Sequence, residues 1–390
     1  MNRAVLQIEI QEFINRNLDT NLNALILKGS PFKSVTTQQI ARQIEGKKKA
    51  KDKLPSWFAA RNIYYPQKIN LEQCSSEQTA KYKTGLVSGK KLLDLTGGFG
   101  VDTVAFAKKF HHVTYCDTNK ELTKITQYNA TQLGIQNIDF HPANGLDFLK
   151  EKKQYFDCIF IDPSRRDTNQ KRVFLLDDCL PNVPQNLTLL FNYSDNILIK
   201  TSPMLDVNIG VNELNFVKEI HIVAVKNEVK EVLYLLEKNY MGRLNFKTVN
   251  FTHNGSHYFD FNLSLKEPDY SLPLTYLYEP NAAILKSGGF LEVGIAFNVK
   301  KLHKHSHLYT SNNLIDFPGR RFINIKKIGT GTKNILRNLP DSKANITTRN
   351  FPEKVSQIRK RTKIKEGGDY YIFFTTDINE DKIALICKKV

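Results

Sequence analysis

The chain has 390 residues and a formal net charge of +17, with 56 Lys and Arg against 39 Asp and Glu. This length predicts more than one domain. No apolar run reaches the roughly 18–20 residues that span a bilayer. The five cysteines are scattered, which argues against a zinc knuckle or a disulfide framework. The first residues do not have the pattern of a signal peptide, so we expect a cytoplasmic protein whose basic surface meets a polyanion.

Residues 1–70 predict a small helical domain. Apolar side chains recur at helical spacing around Ile10 and again around Ile40, and Thr36 is placed to cap the second of these helices. The basic stretch 46–55 is expected to be exposed and to lead into the next domain.

Residues 71–245 change to short apolar strands that alternate with helices. Strands are predicted at Lys91–Leu95, Val113–Cys116, Ile138–His141, Cys158–Ile161, Ile197–Lys200 and Ile220–Val225, with helices at Val101–Lys109 and Lys120–Leu133. This alternation predicts an α/β fold with a doubly wound, Rossmann-like parallel sheet and right-handed crossovers.

A glycine-rich turn lies between the first strand and the first helix of this region. The turn starts at Asp94 and contains Gly98 and Gly100, so the backbone can bend sharply and a ligand can approach it closely. A second acid, Asp117, ends the next strand, where a carboxylate can accept both hydroxyls of a ribose. Thr103 stands where a dinucleotide fingerprint has its third glycine, which favours S-adenosylmethionine over NAD as the cofactor.

The turn and its surroundings resemble the class I S-adenosylmethionine-dependent methyltransferases. Residues 94–100 resemble their first motif with Thr96 in place of the usual first glycine, residues 156–165 resemble their fourth motif, and residues 71–80 resemble the segment that closes over the methionine end. The resemblance implies that Asn144 contacts the adenine. The expected cofactor-binding residues are Asp94, Thr96, Gly98, Phe99, Gly100, Asp117 and Asn144.

Asp162 and Pro163 follow the fourth strand and are the expected catalytic residues. A carboxylate and an adjacent backbone carbonyl can accept the N–H bonds of a base nitrogen and free its lone pair, although an Asp-Pro turn is also an ordinary strand ending. Methylation of C5 of uridine is disfavoured, because no cysteine follows the fifth strand. Ser164, Arg165 and Arg166 are expected to bind substrate, the arginines through a phosphate; structural pairing of the arginines is equally compatible with the sequence.

The C-terminal part is predicted as a basic α+β region in two pieces. Residues 246–318 form a small α+β piece for which a ferredoxin-like fold is one option. Residues 319–390 resemble a THUMP-like domain, an RNA-binding module of tRNA-modifying enzymes. From residue 300 onward there are 20 Lys and Arg against 8 Asp and Glu, so we expect this region to dock RNA. The arginines assigned to that contact are Arg320, Arg321 and Arg349; a solvated basic face is the alternative.

Three histidines, His303, His305 and His307, alternate as they would on one face of a strand. They have no carboxylate or cysteine partner in the pattern, so we expect a polar face and no metal. The Asn227-Glu228 pair is expected in a hairpin turn.

These observations predict a methyltransferase that uses S-adenosylmethionine to methylate a base nitrogen in structured RNA, with tRNA or rRNA as the substrate. Two alternatives stay open: a methyltransferase acting on a protein or small molecule, and a non-catalytic RNA-binding protein that keeps the fold. The sequence predicts no membrane contact and leaves the oligomeric state open.

Overall fold

The computed structural model describes residues 1–164 and 175–390, so Arg165 and Arg166 lie outside the described residues. The chain divides into two compact units. The first contains Met1–Lys218 and Leu233–Met241, and the second contains Glu219–Val232 and Gly242–Val390. None of the helices in these described ranges is long and apolar enough to cross a membrane.

The first unit opens with a helical segment, as predicted. Its helices are α1 (Ile8–Arg16), α2 (Leu22–Lys28), α3 (Thr37–Lys53), α4 (Pro55–Ala59), α5 (Lys68–Gln73) and α6 (Glu77–Thr84). Thr36 caps α3 in a capping box with Gln39. The expectation that stretch 46–55 is exposed holds only in part: α3 continues through most of it, with Lys48 and Lys51 exposed and Ala50 and Leu54 buried. Gly46 is buried there, and a Cβ on it would lie 2.4 Å from the Cβ of Tyr65.

The α/β part of the first unit contains the predicted parallel sheet. Its strands are β1 (Lys91–Asp94), β2 (His112–Cys116), β3 (Ile138–His141), β4 (Cys158–Ile161) and β5 (Asn196–Thr201), and its helices are α7 (Val101–Ala107), α8 (Lys120–Gln132), α9 (Gly145–Lys152), α10 (Val183–Phe191) and α11 (Val207–Glu213). The strands lie in the order β3-β2-β1-β4-β5 and all pair in parallel. The strand order reverses between β1 and β4, where such sheets open a crevice for ligands.

The N-terminal helices and the sheet region share one hydrophobic core. Trp57 of α4 packs on Phe99 of the glycine turn with ring centroids 4.8 Å apart. The same cluster of buried residues contains Ile10 of α1, Ile40 of α3 and Ile125 of α8. The helical segment therefore covers the side of the sheet that carries the glycine turn.

Four strands, β6 (Val217–Val225), β7 (Glu228–Glu237), β8 (Asn245–Thr252) and β9 (Gly255–Phe261), follow α11. The chain turns from β6 into β7 at Lys226 and Asn227, which both have positive φ, the backbone that a two-residue hairpin turn requires. The predicted hairpin turn is present, but Lys226 and Asn227 form it; Glu228 already belongs to strand β7, which was not predicted.

A second sheet fills most of the second unit. Its strands are β10 (Tyr276–Pro280), β11 (Lys300–Lys301), β12 (Tyr309–Ser311), β13 (Gly319–Gly329), β14 (Asn345–Arg349), β15 (Tyr370–Thr376) and β16 (Lys382–Lys389), with helices α12 (Ala282–Ser287), α13 (Glu292–Ala296), α14 (Thr332–Asn338) and α15 (Val355–Thr362). The strand order is β11-β12-β10-β13-β16-β15-β14. Strands β15 and β16 pair antiparallel as a hairpin.

The prediction that three histidines share one strand face is wrong. His303, His305 and His307 lie in the turn between β11 and β12, where His307 has a φ of +50° that no strand residue adopts. His303 is buried, and its Nε2 lies 2.8 Å from a carboxylate oxygen of Glu380.

Candidate active site

The glycine turn between β1 and α7 takes the conformation that its sequence predicts. Gly98 and Gly100 have φ of +55° and +77°, the left-handed region that favours glycine. A Cβ on Gly97 would lie 2.0 Å from the ring of Tyr115, so this position must be glycine for the turn to pack on β2. A Cβ on Gly98 would meet nothing nearer than 3.8 Å, so the turn has open space on that side.

Asp117 ends β2 with its carboxylate directed at the glycine turn. One oxygen accepts a hydrogen bond from the Gly98 N–H at 2.9 Å, and the other accepts one from the Asn119 N–H at 2.7 Å. Burial raises the pKa of Asp117, and these two hydrogen bonds partly offset that rise. Each carboxylate oxygen accepts two hydrogen bonds when ionised, so the carboxylate has acceptor capacity left for a ligand beside the turn.

Asp94 lies beneath the turn rather than on its open side. Its side chain is buried with 1% exposure, and its oxygens accept hydrogen bonds from the Thr103 hydroxyl at 2.6 Å and the Thr96 N–H at 3.2 Å. Burial raises the pKa of Asp94 to about 7. The Asp94 carboxylate thus holds the turn in its conformation, and its direct contact with the cofactor stays a prediction.

A buried polar cluster, which the sequence analysis did not predict, joins the segment before α6 to the start of α7. The Ser75 hydroxyl donates to an Asp102 oxygen at 2.7 Å, and the Lys83 ammonium lies 3.1 Å from the Ser75 hydroxyl and 3.2 Å from the other Asp102 oxygen. Ser75 belongs to the segment that resembles the part closing over the methionine end. The cluster fixes that segment beside the glycine turn.

Asp162 follows β4 and is held at both its backbone and its side chain. Its backbone N–H donates to the Thr96 hydroxyl at 2.7 Å. Its carboxylate forms an ion pair with Lys200 of β5, whose side chain is almost buried while that of Asp162 remains 34% exposed. Lys200 was not predicted as a site residue, because its contact with Asp162 depends on the pairing of β5 with β4.

Pro163 and Ser164 continue from Asp162 along the same edge of the sheet. Pro163 is buried, whereas Ser164 is exposed. The backbone of Ser164 exchanges two hydrogen bonds with Leu180, at 2.7 and 3.0 Å. This bridge fixes the direction in which the chain leaves the site, and Ser164 keeps its place as a candidate substrate contact.

Two of the predicted cofactor contacts have structural roles. The ring of Phe99 is buried against Trp57 in the core, so it is turned away from the open side of the glycine turn. Asn144 is exposed and caps α9, its side-chain oxygen accepting from the N–H groups of Leu146 and Asp147 at 2.9 and 3.3 Å. The predicted Phe99 contact is wrong for its side chain, and only the Asn144 amide nitrogen stays outside the cap.

The arginines assigned to RNA docking form ion pairs within the second unit. Arg320 Nε lies 2.6 Å from one oxygen of Glu279, and an Arg349 nitrogen lies 2.7 Å from the other. Glu279 is buried, so both guanidinium groups compensate a charge that the fold has removed from water. Arg321 lies 3.3 Å from exposed Asp316. Arg320, Glu279 and Arg349 thus form a structural clamp in which the arginine side chains remain 34% and 35% exposed, and their contacts with RNA phosphates stay a prediction.

The described ranges contain no group of three His, Cys, Asp or Glu side chains that could hold a metal ion. The Cys74 thiol lies close enough to the site for the charges of Asp102 and Lys200 to act on it. Burial nevertheless raises the pKa of Cys74 to about 11. A thiol with that pKa stays protonated at neutral pH and is a poor nucleophile.

Comparisons with known families match three consecutive parts of the chain. Residues 89–246 match a family described as RNA cap guanine-N2 methyltransferase. Residues 276–318 match a ferredoxin-like domain, and residues 319–389 match a THUMP-like domain.

Individual methyltransferases are also similar to this chain. The crystal structure of a proposed methyltransferase from Porphyromonas gingivalis W83 covers 100% of this chain and 98% of its own, with 29% identity and a TM-score of 0.88. An uncharacterized RNA methyltransferase of Mycoplasma mobile is 25% identical over 36% of this chain, and a ubiquinone/menaquinone biosynthesis C-methyltransferase of Francisella philomiragia is 30% identical over 32%. The chain spans 39% and 51% of the lengths of these two curated relatives.

Proposed function

We propose that this chain, a class I methyltransferase with a C-terminal THUMP-like domain, transfers a methyl group from S-adenosylmethionine to a base nitrogen in structured RNA. The proposal depends on one observation: Asp117, the glycine turn and Asp162 follow three adjacent strands and are joined by hydrogen bonds of 2.9 and 2.7 Å. Carboxyl ends of parallel strands are where open α/β sheets bind ligands.

The residues of the glycine turn fit S-adenosylmethionine. Gly98 leaves open space beside a half-buried carboxylate, which suits a ribose whose hydroxyls donate to Asp117. When bound, the sulfonium supplies an electrophilic methyl group for in-line displacement. Thr96 and Gly98 shape the turn on which the cofactor lies, and the Ser75–Lys83–Asp102 cluster holds the segment proposed to enclose its methionine end.

The substrate atom is proposed to be an exocyclic amine. Lys200 occupies one oxygen of Asp162, so the other oxygen is the acceptor for one N–H of the amine. That hydrogen bond directs the amine nitrogen and withdraws its proton as the new bond forms. The matched family methylates guanine N2, which is such an amine. C5 chemistry is disfavoured, since no cysteine follows the fifth strand and burial raises the pKa of Cys74.

RNA is proposed as the substrate class on two grounds. The first is the match of residues 89–246 to an RNA methyltransferase family and of residues 319–389 to a THUMP-like domain. The second is charge: residues 319–389 carry 17 Lys and Arg against 7 Asp and Glu, which favours a phosphate backbone. A tRNA or rRNA is the expected target.

Cofactor binding is tested by calorimetry with S-adenosylmethionine on the wild-type chain, Asp117→Ala and Asp139→Ala. Asp139 is an exposed acid on neighbouring β3 that pairs with His112, so it controls for loss of a carboxylate. We expect Asp117→Ala to raise Kd about tenfold or more, because hydrogen bonds to a charged group contribute about 1.5–3 kcal/mol. Equal effects of the two variants, or no binding by the wild type, would contradict the proposal.

The substrate is tested by mass spectrometry of nucleosides from a strain that lacks the gene. We expect one methylated nucleoside to disappear, to return with the wild-type gene and not with Asp162→Ala. The similarity to a quinone C-methyltransferase makes a small-molecule substrate the second candidate. An unchanged nucleoside profile, together with methyl transfer to a quinone precursor without RNA, would favour that candidate.

A further inference from the structure

One face of the second sheet has an exposed strip between two covered regions. Towards one end this face is buried by Tyr278 and Tyr309 packing with α12 and α13, and towards the other end by Ile372 and Ala384 packing with α14 and α15. Between these two regions a row of four residues crosses β10, β13, β16 and β15. We call the row Tyr276, Ile323, Lys388 and Tyr370 the open strip. Ile323 and Lys388 are exposed, whereas the two tyrosines are half-buried, each packed against one of the covered regions.

The register of the strands places the four residues directly side by side. Tyr276 pairs with Ile323, Ile323 pairs with Lys388, and Lys388 pairs with Tyr370. Neighbouring strands are about 4.8 Å apart, so the two tyrosines stand about 14 Å apart with an aliphatic and a cationic residue between them. The Lys388 ammonium lies 4.9 Å from the centre of the Tyr370 ring.

Aliphatic side chains enlarge the open strip. Ile323 is 39% exposed, Ile325 is 50% exposed beside a bulge in β13, and Val390 is 48% exposed. The Val390 N–H donates to the Arg321 carbonyl at 3.1 Å, which holds the residue after β16 beside β13. Single exposed apolar residues are ordinary, but a contiguous set flanked by two tyrosines indicates a binding surface.

We propose that the open strip binds unpaired nucleotides of an RNA, with bases stacked on Tyr276 and Tyr370 and phosphates held by Lys388. Sheet faces with aromatic residues on adjacent strands stack the bases of single-stranded RNA, because every base has a flat face that an aromatic ring can cover. The net positive charge of residues 319–389 complements a polyanion such as RNA and disfavours a basic protein partner. This inference rests on the proposed RNA substrate and names the surface that recognises it.

The test measures fluorescence anisotropy of the full-length chain with a labelled single-stranded RNA and with a duplex of the same length. Lys388→Glu is compared with Lys389→Glu, since neighbouring strand residues point to opposite faces and both variants change the net charge equally. Tyr370→Leu is compared with Tyr258→Leu, because Tyr258 is a 60% exposed tyrosine on β9.

We expect Lys388→Glu and Tyr370→Leu each to weaken single-strand binding about fivefold or more, since the first change removes a cation that holds phosphates and the second removes the ring on which a base stacks. The two control variants should change the affinity less than about twofold. Thermal unfolding identifies any variant that fails to fold. If Tyr370→Leu does not fold, the RNA affinity of Lys388→Glu decides the test, since Lys388 is exposed and its replacement leaves the core intact.

Three results would overturn the proposal: equal weakening by Lys388→Glu and Lys389→Glu, tighter binding of the duplex than of the single strand, or no RNA binding at low salt. The absence of RNA binding would favour a protein as the partner of this surface. Calorimetry with S-adenosylmethionine on the same variants separates this inference from the proposed function. Intact RNA binding without cofactor binding would refute methyl transfer and retain the open strip.

Discussion

Replacing Gly100 by alanine would test the glycine turn through a measurable steric conflict. The new Cβ would lie 2.2 Å from the Cγ2 methyl of Thr126, at a residue whose φ is +77°. The left-handed backbone costs an L-residue about 1–2 kcal/mol. Overpacking of a tight site costs about 1–3 kcal/mol more. We therefore expect Gly100→Ala to lower the free energy of unfolding by about 2–5 kcal/mol.

Gly134 separates the two contributions. It has a nearly equal φ of +75°, but a Cβ there would meet nothing within 4 Å, so Gly134→Ala measures the backbone cost alone. Thr126→Ser provides the rescue, because it removes the methyl group that clashes and keeps the hydroxyl that donates to the Gly98 carbonyl at 3.1 Å. The Gly100→Ala/Thr126→Ser chain should regain about 1–3 kcal/mol relative to the two single variants added together.

The assay is urea unfolding of these variants together with calorimetry of S-adenosylmethionine binding. Gly100→Ala should also weaken cofactor binding, because a displaced turn moves the Gly98 N–H away from Asp117, whereas Gly134→Ala should bind normally. Equal losses of stability in Gly100→Ala and Gly134→Ala would refute the steric account. A normal cofactor affinity in Gly100→Ala would show that the cofactor does not lie on this turn.

Three further changes test other parts of the structure. Burial raises the pKa of Asp94 from 3.8 to about 7, so the folded state holds this proton more tightly than the unfolded state does. The free energy of unfolding should therefore fall as pH rises between about 4 and 7. Urea unfolding of Asp94→Asn should show a weaker dependence on pH. Lys200→Met should slow RNA methylation about tenfold, since Asp162 loses the partner that orients it, and Lys200→Arg should retain most of the rate; a change in RNA affinity alone would argue against that role. Glu279→Gln should lower the free energy of unfolding by about 1.5–3 kcal/mol, because it removes the carboxylate that accepts charge-assisted hydrogen bonds from Arg320 and Arg349, and an unchanged urea midpoint would contradict the clamp.

The α/β region was the most predictable part of the fold. Strand β4 has the bounds that its short apolar run indicates, because a strand covered on both faces is continuously apolar. Strand β7 was missed because its first half, Glu228-Val229-Lys230-Glu231, has the charges of a surface turn. Strands β11 and β12 are two and three residues long, too short to show a periodic pattern.

The candidate site was predictable where its residues are close in sequence. The glycine turn and Asp117 belong to one strand–turn–helix–strand unit, so spacing alone relates them. Lys200 contacts Asp162 only because β5 lies beside β4, and the spacing of residues along the chain does not reveal the order of strands in a sheet. The Glu279 clamp likewise depends on the pairing of β10 with β13. The capping role of Asn144 was predictable from the sequence, since an asparagine directly before a helix is a common cap.

Thr96 explains how a departure from the family pattern can serve the proposed reaction. The class I motif usually has glycine at this position, and glycine has no side chain to bond. Here the Thr96 hydroxyl accepts the Asp162 N–H while the Thr96 N–H donates to Asp94. One residue therefore ties the turn proposed for the cofactor to the carboxylate proposed for the base. Because in-line transfer requires donor and acceptor atoms to be held about 3 Å apart, a direct bond between the two loops reduces the motion that would separate them.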